Sequence, residues 1–189
     1  MPEITRLLQS VTDGHPAAAE ELLSELYQEL RRLAAHKMAH ELPGQTLQPT
    51  ALVHEAWLRI AGNDATAWKG RQHFFAAAAE AMRRILVEAS RRKKRLRHGG
   101  ELKRVEMDAV DLPAPMPDEE LLALDEALTR LAEINPRATE LVKLCFFVGL
   151  TQEEAARELG ISVSTAERLW AYARAWLFRA MRKGLPPLA

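Results

Sequence analysis

A single cysteine, Cys145, stands in the chain, so no disulfide can form within it. Net charge is also missing: 26 Lys and Arg balance 26 Asp and Glu, so the chain as a whole carries no electrostatic pull toward an anionic partner. Val, Ile and Thr are sparse beside Ala and Leu, which favours helices over sheets. No apolar run escapes interruption by charge for long enough to span a bilayer, which argues against a membrane partner. Met1 to Ser10 includes Glu3 and Arg6 and lacks the apolar stretch of a signal peptide. These absences describe a soluble protein of a reducing cytoplasm.

Catalytic signatures are lacking as well. There is neither a glycine-rich phosphate loop nor a nucleophile elbow. His54-Glu55 begins like a zinc-protease helix, but the position four later is Leu58 rather than His. His36 and His40 are four apart, yet they lie on a basic, exposed face with no cysteine near. Cys145, inside "LVKLCFFVGL", reads as a small buried apolar residue. No metal, no cofactor and no enzymatic activity are expected.

What is present is helical throughout. A short helix covers about 4–11, and a second begins near Pro16 with Leu22, Leu26, Leu30, Leu33 and Met38 on one face. A third follows Pro49, with Leu52, Val53, Ala56 and Ile60 inward, and stops at Gly62-Asn63. A polar loop leads to about Gln72. A long helix then turns Phe75, Ala78, Met82, Ile85, Leu86 and Ala89 inward and stops at Gly99-Gly100. Its last turns read "SRRKKRLRHG", the densest positive charge in the chain. Lys and Arg suit a helix C-terminus through the dipole, so part of that charge needs no ligand. Between Arg104 and Glu126 the charges are all acidic, and Pro113, Pro115 and Pro117 cannot continue a helix. Residues 99–117 therefore read as a linker between two domains.

The second half carries Leu121, Leu124, Leu128 and Leu131 on one helix. Asn135 caps another that starts at Pro136 and runs to Gly149. Thr151 and Glu154 have capping-box spacing, Gly160 ends that short helix, and Ser162 caps a long last one. A short capped helix, a glycine turn and a longer helix make a helix-turn-helix. Ala155 and Ala156 permit close packing, so the second helix can enter a major groove by its N-terminal end. Val163, Ser164, Glu167 and Arg168 are its exposed early positions. Arg168 can bond guanine, Glu167 can accept from cytosine, and Ser164 can do either. Ser162 and Thr165 suit phosphate.

"GLTQEEAARELGISVSTAERLWAYARAWL" resembles the region 4 pattern "GLSxEEIAxxLGISxxTVKxRLxRARxxL" of bacterial sigma factors, especially the extracytoplasmic-function (ECF) group. "PTALVHEAWLRI" is similar to region 2.2, usually near "DLVQEVFLRL". "FFAAAAEAMRRILVEASRRKKR" sits where regions 2.3 and 2.4 belong. The resemblance implies an all-α protein of two small helical domains joined by the acidic, Pro-containing linker. Region 2 would cover 1–98, the linker 99–117, and region 4 with the helix-turn-helix 118–189.

The resemblance further implies partners and roles. The partners would be core RNA polymerase and promoter DNA, single-stranded at the minus-10 element and duplex at the minus-35 element. An anti-sigma factor is a possible further partner. His54, Glu55, Trp57, Leu58 and Arg59 would dock on the polymerase, with Glu55 pairing to basic residues there. Asn63, Asp64, Trp68, Lys69 and Arg71 of the polar loop would capture a flipped minus-10 base, Trp68 by stacking. Arg83, Arg84, Arg91 and Arg92, with Glu88 among them, would follow the same DNA along the long helix. Ser162, Val163, Ser164, Thr165, Glu167, Arg168 and Arg174 would read minus-35. Glu167 stands where Lys is common and Ala166 where Val is common, so base preference cannot be carried over. A two-domain helix-turn-helix regulator acting without polymerase is the alternative, and a helical inhibitor of a sigma factor a second.

Overall fold

The computed structural model describes residues 49–61, 71–98 and 117–183, together with isolated positions between 7 and 28. The expected first two helices fall mostly outside the described residues, as do the loop 62–70 and residues 99–116.

Helix α1 spans Pro49–Ala61 and α2 spans Arg71–His98. Val53, Ala56 and Ile60 of α1 are buried against α2, as the apolar spacing requires. Trp57 lies half-buried between the rings of Tyr27 (5.7 Å) and Phe74 (6.4 Å), so it belongs largely to the core.

Helix α3 (Asp118–Ile134) buries Leu121, Leu124, Leu128 and Leu131. Asp118, Glu119 and Glu120 in its first turn complement the helix dipole. Helix α4 (Pro136–Lys143) starts under the Asn135 cap, whose side-chain oxygen accepts from the Ala138 N–H at 3.0 Å. The sequence suggested one helix to Gly149. Instead the chain widens into a π turn at Leu144–Val148. Gly149, at φ 91°, closes it by donating to the Leu144 carbonyl at 3.1 Å, five residues back. Leu144, Phe147 and Val148 are buried by this turn, whereas Cys145 is only half-buried, not the core residue expected.

Helix α5 (Gln152–Leu159) carries the full Thr151–Glu154 capping box. It ends in a Schellman motif: Ile161 N–H donates to the Ala156 carbonyl and Gly160 N–H to that of Arg157, with Gly160 at φ 62°. No atom lies within 4 Å of where a Gly160 Cβ would sit, so only backbone conformation opposes a side chain there. Gly160→Ala should cost about 1 kcal/mol in chemical denaturation. An unchanged stability would mean the turn is not held in this conformation. Helix α6 (Val163–Lys183) buries Ala166, Ala173, Leu177 and Ala180.

The described helices share one hydrophobic core that runs from α1 through α2 into α3–α6. The long helix α2 is its centre. Beyond the expected inward face, Ala79, Val87 and Ser90 are buried, and Arg83 is mostly so. Spacings of four, four and three set these residues on an adjoining stripe of the helix. The second half of the chain covers that stripe.

Candidate nucleic-acid and polymerase interface

The two faces expected to bind partners are built differently. On α1, His54, Leu58 and Arg59 are exposed and Glu55 is half-exposed. Leu58, at 59% exposure, is a large apolar side chain left in water. Trp57, on the same helix, faces inward instead. Arg59 donates to Glu55 and to Glu88 of α2, both at 2.9 Å. The hydrogen bond from Arg59 holds the Glu88 carboxyl below the usual range despite some desolvation, and Glu88 in turn raises the Arg59 guanidinium. A cleft of about 280 Å³ opens here, lined by Glu55, Arg59, Ile85, Glu88, Arg92 and Arg95. Polymerase-docking and DNA-facing candidates thus meet in one place. Arg95 shares the cleft with Arg92, a position that its place in a long basic run did not distinguish.

Along α2, the arginines divide. Arg84, Arg91 and Arg92 are exposed. Arg83 is not: it donates to both carboxylate oxygens of Glu80 (2.8 and 3.1 Å) and forms an ion pair with Asp125 of α3. Arg91 also reaches Asp125, at 3.3 Å, and Arg84 bonds Glu80 at 2.9 Å. Lys143 of α4 donates to Glu80 at 2.9 Å. Burial pushes the Glu80 carboxyl up, but the bonds from Arg83, Lys143 and Arg84 outweigh it and hold the pKa at about 2. Arg71 opens α2, lies 4.7 Å over the Phe75 ring and pairs with Glu158 of α5. Asn63, Asp64, Trp68 and Lys69 lie outside the described residues.

Asp125 escaped the sequence reading. It occupies the apolar stripe of α3 between Leu121 and Leu128, yet is 8% exposed. A carboxylate in a leucine stripe is the signal that could have found it, since a buried charge needs a cationic partner.

In the helix-turn-helix, α5 and α6 pack through Ala155, Ala156 and Ala166, all essentially without exposure. That contact turns the opposite side of α6 outward. Val163, Ser164, Glu167, Arg168 and Arg174 are all exposed. Ser162 Oγ accepts from the Thr165 N–H at 3.2 Å and lies 2.8 Å from the Thr165 hydroxyl, so the two cap the helix together.

The ECF sigma factor family model matches residues 1–183. The chain belongs to the ECF sigma factor family. Its place in the cell's chemistry is therefore transcription initiation and DNA binding, and the all-helical fold agrees with that membership. Comparison with curated proteins gave no match. Family membership brings RNA polymerase and promoter DNA as partners, often with an anti-sigma factor. Among the described residues of this sigma factor, no helix is long and apolar enough to cross a membrane.

Proposed function

We propose that this sigma factor docks on core RNA polymerase through the outer face of α1, reads melted minus-10 DNA with residues 1–98, and reads duplex minus-35 DNA with residues 118–189. Residues 99–117 serve as the tether between the two. The observation that carries the proposal is the two-sidedness of α6: Ala166 is fully buried while Val163, Ser164, Glu167 and Arg168 are exposed beside it. That is the geometry a recognition helix needs to offer its first turns to base edges. Leu58, with Glu55 and Arg59 beside it, supports the polymerase face. Arg84 and Arg92, exposed along α2, support a phosphate track, and Arg95 extends it. Asn63, Asp64, Trp68, Lys69 and Arg71 remain the candidates for capturing the flipped base.

The deciding experiment is run-off transcription with purified core polymerase on promoters selected from a random pool. Arg168→Ala should lose about tenfold in minus-35 discrimination, because one bidentate base contact contributes roughly 1–3 kcal/mol. Arg174→Ala should weaken transcription evenly across promoters and flatten its salt dependence by about one phosphate contact. A chain that bound selected duplex tightly alone and never supported transcription would instead be a polymerase-independent regulator.

A further inference from the structure

Glu88 stands among the arginines of α2, and its place in the chain set it with them on minus-10 DNA. The fold gives it a different neighbour. Arg84 bonds Glu80 of its own helix and Arg91 reaches Asp125, whereas Glu88 accepts from Arg59 of α1 at 2.9 Å. The same nitrogen, Arg59 Nη2, also donates to Glu55 Oε1 at 2.9 Å. One guanidinium nitrogen thus bridges carboxylates from two helices. Ile85, Glu88, Arg92 and Arg95 follow one another at steps of three, four and three, which sets them on the single stripe of α2 that lines the cleft with α1. Glu88 therefore faces the docking candidates of α1 across that cleft.

Glu55 and Arg59 alone would form an ordinary pair one helical turn apart, each holding the other's charge. Glu88 changes that balance. Two carboxylates now share one guanidinium, so the cluster carries one negative charge in excess. Glu88 draws Arg59 toward α2, and Glu55 keeps part of its charge for a cation from outside. The three side chains are 39–58% exposed, so an incoming group can reach them and their mutual pairing contributes little to folding. The hydrogen bond from Arg59 is the largest influence on the Glu88 carboxyl and lowers it, with Arg84 and Arg92 adding to that at longer range.

We propose that Glu88 is a positioning residue of the polymerase-docking face: it holds Arg59 across the cleft and so leaves Glu55 available to a basic side chain of core polymerase. The proposal rests on the reading above that α1 docks on polymerase. Glu88 acts through Arg59 and touches neither polymerase nor DNA. Arg92, one turn further along the same stripe, keeps its place on the phosphate track. The stripe therefore changes role within a single turn, from supporting the docking helix at Glu88 to facing phosphate at Arg92.

The test titrates core polymerase with the full chain, labelled at its N-terminus, and measures binding of a minus-10 non-template oligonucleotide to the assembled holoenzyme. Glu88→Ala should weaken binding to core about fivefold, the upper end for an exposed ion pair, and leave the thermal midpoint in place. Glu88→Gln, which keeps the shape but not the charge, should do the same. In an Arg59→Ala background, Glu88→Ala should change core affinity by less than about twofold, because the group it acts through is gone. Strand binding should stay within about twofold throughout. Unchanged core affinity in both Glu88 variants overturns the proposal, as does an equal loss in the Arg59→Ala background. A fivefold change in strand affinity at unchanged core affinity returns Glu88 to the DNA face. Leu58→Lys separates this proposal from the reading it rests on. If that variant binds core normally, the docking role of α1 fails. If it loses core while Glu88→Ala has no effect, only the positioning role fails.

Discussion

Leu58→Lys is expected to remove co-elution with core RNA polymerase while leaving thermal stability in place. Leu58 is 59% exposed on α1, so its side chain contributes little to the core and its replacement should change folding stability by no more than about 0.5 kcal/mol. A large apolar side chain held outward on a rigid helix is, by contrast, the kind of residue that anchors an interface. Removing it, and setting a cation beside the basic surface that Glu55 would face, should cost about 2 kcal/mol or more, a weakening of roughly thirtyfold. Trp57→Ala separates the two roles. Trp57 packs between Tyr27 and Phe74, so that variant should lose about 3 kcal/mol of stability. Co-elution that survives Leu58→Lys unchanged would remove α1 from the docking surface.

Glu80→Gln should be among the most destabilising polar substitutions in the chain. The Glu80 carboxylate accepts from Arg83, Arg84 and Lys143 and joins the two halves through Lys143. Its pKa, at about 2, lies below the ordinary value of 4.5. A carboxylate depressed on folding stabilises the folded state fully above the unfolded pKa and loses that contribution as pH falls through the folded one. The difference corresponds to about 3 kcal/mol at neutral pH, where Glu80 is ionised in both states. Urea denaturation of both proteins at pH 7 and pH 3 tests it. The gap should shrink to about 1 kcal/mol at pH 3, because Gln cannot titrate and protonation removes the charge that distinguishes Glu80. A gap independent of pH would mean that shape, not charge, is what Gln fails to reproduce. Glu80 is largely shielded by its partners, so salt should screen this effect less than it screens the exposed pair of Glu126 and Arg130.

Those two residues also mark how far the sequence could be read. Leu58 lay in a motif, and the motif placed it on α1, but its outward direction and the inward direction of its neighbour Trp57 depended on which rings packed beneath the helix. Glu80 lay in no motif at all. Its neighbours at three and four residues, Arg83 and Arg84, are legible as helix pairs. Lys143 is not, since no local pattern links positions so far apart. The same holds for α2 as a whole. Its periodicity predicted one buried face, and that face is buried. In the stripe of Ala79, Arg83, Val87 and Ser90 only Val87 carries a strong hydrophobic signal, so the sequence marked no second buried face there, and Arg83 was expected to face DNA.

By itself the sequence determined the helical class, the capped starts at Asn135, Thr151 and Ser162, the glycine stop at Gly160, and the family. The helices, caps and stop rest on contacts within about five residues of the chain, and such contacts leave regular spacings behind, while the family rests on the order of the motifs along residues 1–183. Which arginines of α2 pair with Asp125, and that Arg83 is mostly buried in doing so while Arg91 stays exposed, was decided only by tertiary structure. The pairs Arg83–Asp125 and Arg91–Asp125 join residues 42 and 34 positions apart. Two charges of opposite sign can pair wherever the fold brings them together, and only the packing of α3 on α2 determines that it is these.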